Sequence, residues 1–509
     1  MGLLSVLYLA LSCRHQASTE AFQMPIEDTV CLGETTIGIS TIASHLNVPW
    51  EITWGPDSTL WFTEQSGTIS KVNPHTGVVK LLLRIPEVYR ERTLGLLGMA
   101  VSLDKTKPYV FVDYTHKKDS GAVVSKLVRY TYGKDSLRDP LLLLEVPAGT
   151  GHNGSRVTLS PDGKVFWAVG DIADNNNAQD TASLNGKILR LNMDGTIPAD
   201  NPFGRSPVWS MGHRNIQGLV FSPDGALLSS EHGDATDDEI NLIEKGGNYG
   251  WPIIMGYADQ PKEKRYQQDH LCLDPLIAWT PTIAPSGIGY YNSDQIPEWK
   301  HAILLATLKG VSLHVLKRED HPGAKLSDKR YFVDYFGRLR DVCVSPEGDV
   351  YLSTSNRDWN PLGKPRPEDD RIIRLAKISK DDDLSHLEVA SASDIPDKTG
   401  PAPDAAVVLY KNYCASCHKV DGKGVPGTFP ALAGSSMVTG EPGPLLKFVL
   451  KGGLAAGASA APAGENMPAF DFLKDQQVAA ILSYVRHRWG NDADPISVDQ
   501  VKAARAQQQ

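Results

Sequence analysis

Between residues 45 and 378, apolar and polar side chains alternate in short runs, and each run follows a small polar turn. Ser160-Pro161-Asp162-Gly163 precedes KVFWAVGD, Ser222-Pro223-Asp224-Gly225 precedes ALLSSEHG, and Ser345-Pro346-Glu347-Gly348 precedes DVYLSTS. Looser copies are Gly55-Pro56-Asp57 before STLWFTEQ, Ser102-Leu103-Asp104 ahead of KPYVFVDY, and Ala284-Pro285-Ser286-Gly287 before IGYY. Alternation with a period of two marks half-buried strands. Proline presets φ and glycine supplies a positive φ, so the phrase is a tight turn between strands. Successive copies start roughly 47 to 63 residues apart, the spacing of four-stranded propeller blades with long loops. Six copies predict an all-β six-bladed propeller over residues 30–380. A β-sandwich with incidental Pro-Asp-Gly turns is the alternative, but sandwiches rarely keep so long a period.

The strand pattern stops at the acidic, Pro-, Ser- and Ala-rich stretch 381–404, which reads as a linker. Helical patterns follow at 405–414, 444–451 and 474–489, the last with Val478, Ile481, Leu482 and Val485 in helical spacing. These define a small all-α domain over 405–490, with 491–509 as a solvated helical or frayed tail. At the other end, the apolar run Leu3 to Leu11 is too short to span a bilayer, so residues 1–20 are expected to be an export signal. Ser12-Cys13 resembles a lipobox whose Cys13 would be acylated, and a plain cleaved signal is the other reading. A periplasmic or exported location follows as an expectation. With 509 residues the chain exceeds one ordinary core, and its formal charge of −9 gives no general reason to bind nucleic acid. Any bound anion must meet a local basic cluster.

Cys31, Cys272 and Cys343 are scattered; buried free thiols or one disulfide with a thiol left over are both open. Cys414-Ala415-Ser416-Cys417-His418 is different, because C-x-x-C-H is the pattern of covalent c-type haem attachment: two thiols add to the haem and the adjoining histidine ligates iron. A zinc site or a thioredoxin-like motif would need further thiols or a βαβ context, and the sequence has neither. A helix precedes the motif, the Gly-rich Asp421-Gly422-Lys423-Gly424 follows it, and Met467-Pro468 precedes the last helix. The segment resembles class I bacterial cytochromes c over about ninety residues, and that resemblance implies Met467 as sixth iron ligand, with Met437 as the rival. A thioether–imidazole pair raises the reduction potential and suits an electron acceptor.

Such a haem implies a redox donor, yet the large domain lacks G-x-G-x-x-G at a strand-to-helix turn, which argues against nicotinamide or flavin sites. The stretches GLLGMAV (95–101), GHNGSRVTLSPDGKVFWAVGD (151–171), LNGKILRLNMDGTIPADNPF (184–203), GHRNIQGLVFSPDG (212–225), DDEINLIEKGGNYGWP (237–252), TLKGV (307–311) and GRLRDV (337–342) resemble, in the same order, the PQQ-dependent soluble glucose, aldose sugar and sorbosone dehydrogenases. The resemblance implies a six-bladed propeller that oxidises an aldose or related hydroxyl or lactol substrate. Hydride would pass to pyrroloquinoline quinone (PQQ), and electrons would go to haem c and then to an external acceptor such as a soluble cytochrome or respiratory-chain component.

The residues agree with that implication. PQQ carries three carboxylates, and Lys309, Arg338 and Arg340 can supply the cations it needs. By the same resemblance His152 is the general base, and Arg214 and Asn215 face the quinone oxygens, where Arg214 would stabilise developing negative charge. His213 and His232 are assigned supporting roles. Calcium is the implied metal, held by backbone carbonyls of Gly233 and Asp234 beside PQQ, with a second calcium at Glu239 and Tyr249. Three positions depart from the family: Gly151 stands where an acidic residue precedes the base, Thr93 or Leu94 where a glutamine is common, and Ile216 where proline follows Arg-Asn. The first removes the expected carboxylate partner of His152. A binding propeller with the cytochrome as mere relay is the competing reading, and it needs neither His152 nor the basic nest.

Overall fold

The computed structural model describes residues 24–318, 326–360, 363–379, 382, 384, 404–426, 428–453 and 467–507. The segment 1–20, Cys13 and nearly all of 381–404 lie outside the described residues.

Six antiparallel sheets surround a central axis. Their innermost strands, Pro49–Trp54, Leu96–Val101, Gly154–Leu159, Ile216–Phe221, Pro285–Tyr291 and Leu339–Val344, pack side by side in a closed ring. The last blade closes that ring. Its strand Ile372–Lys377 pairs on one side with Val350–Thr354 and on the other with Thr36–Ala43, outside which Asp28–Cys31 adds a fifth strand.

The repeated turn works as its residues dictate. Gly163, Gly225 and Gly348 adopt φ of +76°, +88° and +97°, and the amide of each donates to the carbonyl of the serine three residues back. The Ser160, Ser222 and Ser345 hydroxyls accept from the amides of Lys164, Ala226 and Asp349 at 2.9, 3.1 and 3.2 Å, which locks the second strand onto the first. Ala284 to Gly287 is a correction: it does not form this turn but opens the inner strand Pro285–Tyr291, and the connection to Ala302–Thr307 runs through a short 3-10 helix, Pro297–Trp299. Pro285 pairs with Thr307 in the ladder instead of turning the chain.

Between neighbouring blades the alternate side chains form separate apolar clusters, with Trp61, Trp167 and Trp299 fully buried. Truncating any of these to alanine should cost about 3–5 kcal/mol. On the inner strands the regularity is broken at one end. Each of the six carries a register shift where it starts, at Pro49/Ile52, Leu96/Met99, Gly154/Arg156, Ile216/Gly218, Pro285/Ile288 and Leu339/Asp341. A bulge re-aims a side chain out of the alternating pattern. Trp50, Leu97, Gln217 and Arg340 sit in these bulges, and all four face the cavity at that end of the ring.

The C-terminal helices Ala405–Tyr413, Pro442–Lys451, Asp475–Arg486 and Val498–Ala506 form a second core around Tyr410, Leu446, Phe470, Ile481 and Val485. The Asp404 side chain accepts from the Ala406 amide and caps the first of them. Residues 498–506, expected as a solvated helical or frayed tail, form a helix that packs on the domain: Val501 is fully buried and Arg505 pairs with Asp475 at 2.8 Å. Cys272 is buried and Cys343 half-buried, whereas Cys31 is exposed with its sulfur 3.2 Å from the Thr36 hydroxyl, and none of the three forms a disulfide.

Candidate active site and haem pocket

One continuous cavity of about 2070 Å³ opens at the bulged end of the ring and runs into the helical domain. His152, Arg214, Asn215, Gly233, Asp234, Lys309, Arg338 and Arg340 line it from the propeller. Cys414, Cys417, His418 and Met467 line it from the helices.

His152 holds a left-handed backbone conformation, φ +49°, just before the third inner strand. Its carbonyl presses on Gly170, where a Cβ would lie 2.0 Å away, so glycine is required there. The ring Nδ1 donates to Asp171 Oδ1 at 2.8 Å. Asp171 is fully buried and also accepts from the indole of Trp251 at 2.8 Å and the amide of Ala173. Burial alone would raise its pKa, but the hydrogen bond and charge of His152, with Arg214 beyond, hold it below the usual carboxylate value. The carboxylate that Gly151 could not provide therefore comes from Asp171. Its acceptance of the Nδ1 proton leaves Nε2 of neutral His152 as the basic nitrogen.

Arg214 pairs with Asp234 at 3.1 Å, lies over the Trp251 ring, and keeps its Nε buried without a partner. Asn215 is a scaffold as well as a wall residue: its carbonyl accepts from the Gly154 amide and Gln217 Nε2, both at 3.1 Å. His232 is half-buried beside it, with its Nε2 buried and unpartnered; desolvation and the charges of Arg214, Arg340 and His152 depress its pKa to about 3, so it is neutral. His213 is a structural histidine, bonded to Ser210 and Glu231 and stacked on Tyr249.

Arg338 and Arg340 are buried and share a single acid, Asp358, at 3.9 and 2.5 Å. Arg340 also stacks 3.9 Å over Trp50 and donates to Gln217 Oε1 at 3.2 Å. Burial, with Arg338 and Arg156 nearby, outweighs Asp358 and lowers its pKa to about 10. Two buried guanidiniums thus share one carboxylate, and together with the unpartnered Nε of Arg214 they fit a polyanion such as PQQ. Lys309 lies apart from this pair. Its ammonium donates to Thr282 at 2.6 Å and, across the domain boundary, to the carbonyl of Asn412 at 2.5 Å.

Among the described residues no three His, Cys, Asp or Glu side chains converge as a metal-binding group, so a calcium here needs backbone oxygens. The loop at Gly233 offers them: a Cβ on Gly233 would lie 1.9 Å from the Thr236 carbonyl and 2.6 Å from that of Asp237. Glu239 and Tyr249 stand outside the main cavity, around a small void they share with Glu231 and Asp237. Burial and the Glu231 carboxylate push Glu239 up to about 8, as expected for crowded acids lacking a counter-ion. The Tyr249 hydroxyl is engaged with Leu242 and Glu244, so that residue could offer only its backbone.

In the helical domain Tyr410 packs against Tyr484 and Trp489, tying the first helix to the end of the third long one, and Cys414 follows at the helix end. His418 Nδ1 donates to the Pro430 carbonyl at 2.9 Å, which leaves Nε2 free to bind iron. Burial lowers the His418 pKa, favouring the neutral ligand form. Leu445, Val449, Phe470, Ile481 and Leu482 make the wall apolar, a fit for a porphyrin. Met467 pairs with Gly453 through two backbone hydrogen bonds, and both it and Met437 line the cavity.

Asp171, Asp358, Trp50 and Gln217 were not singled out in the sequence. Trp50 and Gln217 owe their place to ring closure, whereas Asp171 and Asp358 each reach their partner across one hairpin, and the aspartate ending KVFWAVGD lies inside a matched stretch.

Comparison with known proteins places this geometry. Residues 46–362 match the glucose / sorbosone dehydrogenase family, and residues 404–489 match cytochrome c. The chain is 34% identical over 398 residues to quinoprotein glucose dehydrogenase B of Acinetobacter calcoaceticus, covering 61% of this chain and 83% of that protein. The solved PQQ-bound aldose sugar dehydrogenase of Streptomyces coelicolor superposes with a TM-score of 0.58 at 32% identity, covering 67% of this chain and 98% of that one. The helical part is 42% identical over 88 residues to the gluconate 2-dehydrogenase cytochrome c subunit of Pantoea cypripedii, covering 17% of this chain and 20% of that protein. The chain thus belongs to the glucose / sorbosone dehydrogenase family and carries a cytochrome c domain at its C-terminal side.

Proposed function

We propose that this protein is a quinohaemoprotein dehydrogenase that oxidises an aldose or a related hydroxyl or lactol substrate with PQQ and passes the electrons through haem c to an external one-electron acceptor. The observation that supports it most is the single cavity joining the His152–Asp171 pair, the arginine nest and the C-A-S-C-H segment. PQQ supplies a two-electron hydride acceptor, and haem c relays electrons one at a time.

His152 Nε2 takes the hydroxyl proton as the adjoining carbon loses hydride and becomes a carbonyl. Asp171 fixes the tautomer and stabilises the imidazolium that forms. Arg214 would donate to the oxygens of a bound quinone, where its charge would offset the negative charge that hydride brings. Arg338 and Arg340 bind the cofactor carboxylates, and Asp358 keeps the two guanidiniums together. Gly233 and Asp234 carbonyls would hold a calcium at the cofactor site, and Glu239 with backbone oxygens near Tyr249 would hold a second. Cys414 and Cys417 would anchor the haem, and His418 and Met467 would ligate its iron. A purely binding propeller would have no use for a carboxylate-oriented imidazole beside a cation nest.

Reconstitution tests the proposal. The haem should be reduced by an aldose only after PQQ and calcium are both added, and a chelator present from the start should prevent it. Sugar-driven haem reduction without added PQQ would refute the cofactor assignment, and none with any aldose tried would refute the activity.

A further inference from the structure

We propose that Arg92, Trp359 and Phe429 form the docking contact that holds the cytochrome domain over the quinone chamber and so sets the rate of electron entry into the haem. This rests on the quinohaemoprotein reading above.

Trp359 belongs to the propeller, in the loop after Val350–Thr354, and Phe429 to the cytochrome domain; their ring centroids are 6.0 Å apart. The guanidinium of Arg92, from the loop leading into Leu96–Val101, lies 5.6 Å from the Trp359 ring and 5.7 Å from that of Phe429. Lys419 of the cytochrome domain places its ammonium 5.8 Å from the same indole. Cations held on aromatic faces are attracted by the ring quadrupole, most strongly where water is excluded.

The neighbours of these residues give the contact its meaning. Phe429 directly precedes Pro430, whose carbonyl orients the His418 ring, and Lys419 directly follows His418. Phe429 is also rigid, exchanging backbone hydrogen bonds with Val425 in both directions. On the propeller side, Trp359 directly follows Asp358, the acid that gathers Arg338 and Arg340. One stack therefore connects the residue organising the cation nest to the loop orienting the iron-ligand histidine. Two further contacts cross the boundary, Lys309 to the Asn412 carbonyl and Ala235 against the helical core, but these residues lie in or beside the proposed cofactor sites. Arg92 and Phe429 line the same cavity but are assigned no part in holding either cofactor, which makes them the positioning residues to test.

In the intramolecular step each electron leaves the reduced quinone for ferric iron, protons pass to water, and the external one-electron acceptor reoxidises the haem. The full-length protein, loaded with PQQ and calcium, is mixed with an aldose, and haem reduction is followed by stopped flow. In parallel, turnover is measured with an artificial dye that takes electrons directly from the quinone. Arg92→Ala and Phe429→Ala should each slow haem reduction about tenfold or more while dye-linked turnover stays within about twofold. The double variant should be scarcely slower than the worse single one, because both act through one contact. Small-angle scattering of the chain without PQQ should show a larger maximum dimension in the variants. Phe429→Leu, which retains the apolar bulk, guards against misfolding of Phe429→Ala, and an unchanged ferrous haem spectrum confirms the fold in each case. Unchanged haem reduction in Arg92→Ala and in either Phe429 variant overturns the proposal, as does a matching loss of dye-linked turnover, which would mark damage to the site. If sugar never reduces the wild-type haem, the functional reading fails instead; scattering then decides the docking contact, and no expansion in the variants overturns it.

Discussion

His152 and Asp171 stand nineteen residues apart in the chain and 2.8 Å apart in space, joined by a hydrogen bond from an imidazole to a fully buried carboxylate. An asparagine at 171 could offer its amide N–H to Nδ1 and select the wrong tautomer. Asp171→Asn should therefore lower kcat by roughly a hundredfold to ten-thousandfold with cofactor affinity nearly intact, and His152→Ala should fall in the same range. The double variant should be little worse than either single one. Pre-steady-state quinone reduction by a good aldose checks this, and a wild-type rate in His152→Ala would place the base elsewhere.

Arg340 combines a bond to Asp358, a bond to Gln217 and a stack on Trp50, all of which use a planar guanidinium. Arg340→Lys should weaken PQQ binding about tenfold to a hundredfold, the worth of a charge-assisted hydrogen bond. Equilibrium titration of the cofactor-free protein measures it. The haem spectrum should be unaffected.

The sixth iron ligand can be assigned by potential. Met467→Ala should remove the methionine-ligated ferric signature and lower the reduction potential, because a thioether ligand favours ferrous iron. Met437→Ala should leave both unchanged in a spectroelectrochemical titration. The reverse pattern would hand the role to Met437.

A pH effect on stability is expected at Asp113, buried between blades, where it accepts from the Trp167 indole at 2.9 Å. Burial raises its pKa to about 7, above that of an unfolded aspartate. The folded protein thus holds a proton that the unfolded chain has released, so this carboxyl favours folding in acid and ceases to do so as pH rises from about 4 through 7. Asp113→Asn mimics the protonated form. It should raise Tm relative to wild type at pH 8 and change it little at pH 4, as calorimetry at the two pH values would show.

Local signals made much of this protein legible in its sequence. Turns at Ser160, Ser222 and Ser345 announce themselves because serine hydroxyl, proline and glycine act within five residues, and the C-A-S-C-H motif likewise needs no distant partner. Ala284 to Gly287 misleads for the same reason: it has turn composition, but blade five makes its turn later and uses Pro285 to start a strand. Trp50 and Gln217 reach Arg340 only once bulged inner strands of different blades converge on one mouth, and no local spacing records that convergence; Asp171 and Asp358 meet His152 and Arg340 across single hairpins, where strand register decides the pairing. The missing acid at Gly151 illustrates the limit, since the chain had simply moved the carboxylate from the neighbouring residue to the end of the next strand.

The strand Ile372–Lys377, last of the propeller, lies inside its sheet with a hydrogen-bonded neighbour on either flank. Tension reaching it from the cytochrome side is met by two ladders loaded in shear, which must fail together, whereas an edge strand would peel one bond at a time. The haem domain is moored to an interior strand of the closing blade, so its attachment to the propeller survives any loosening of the seam between them.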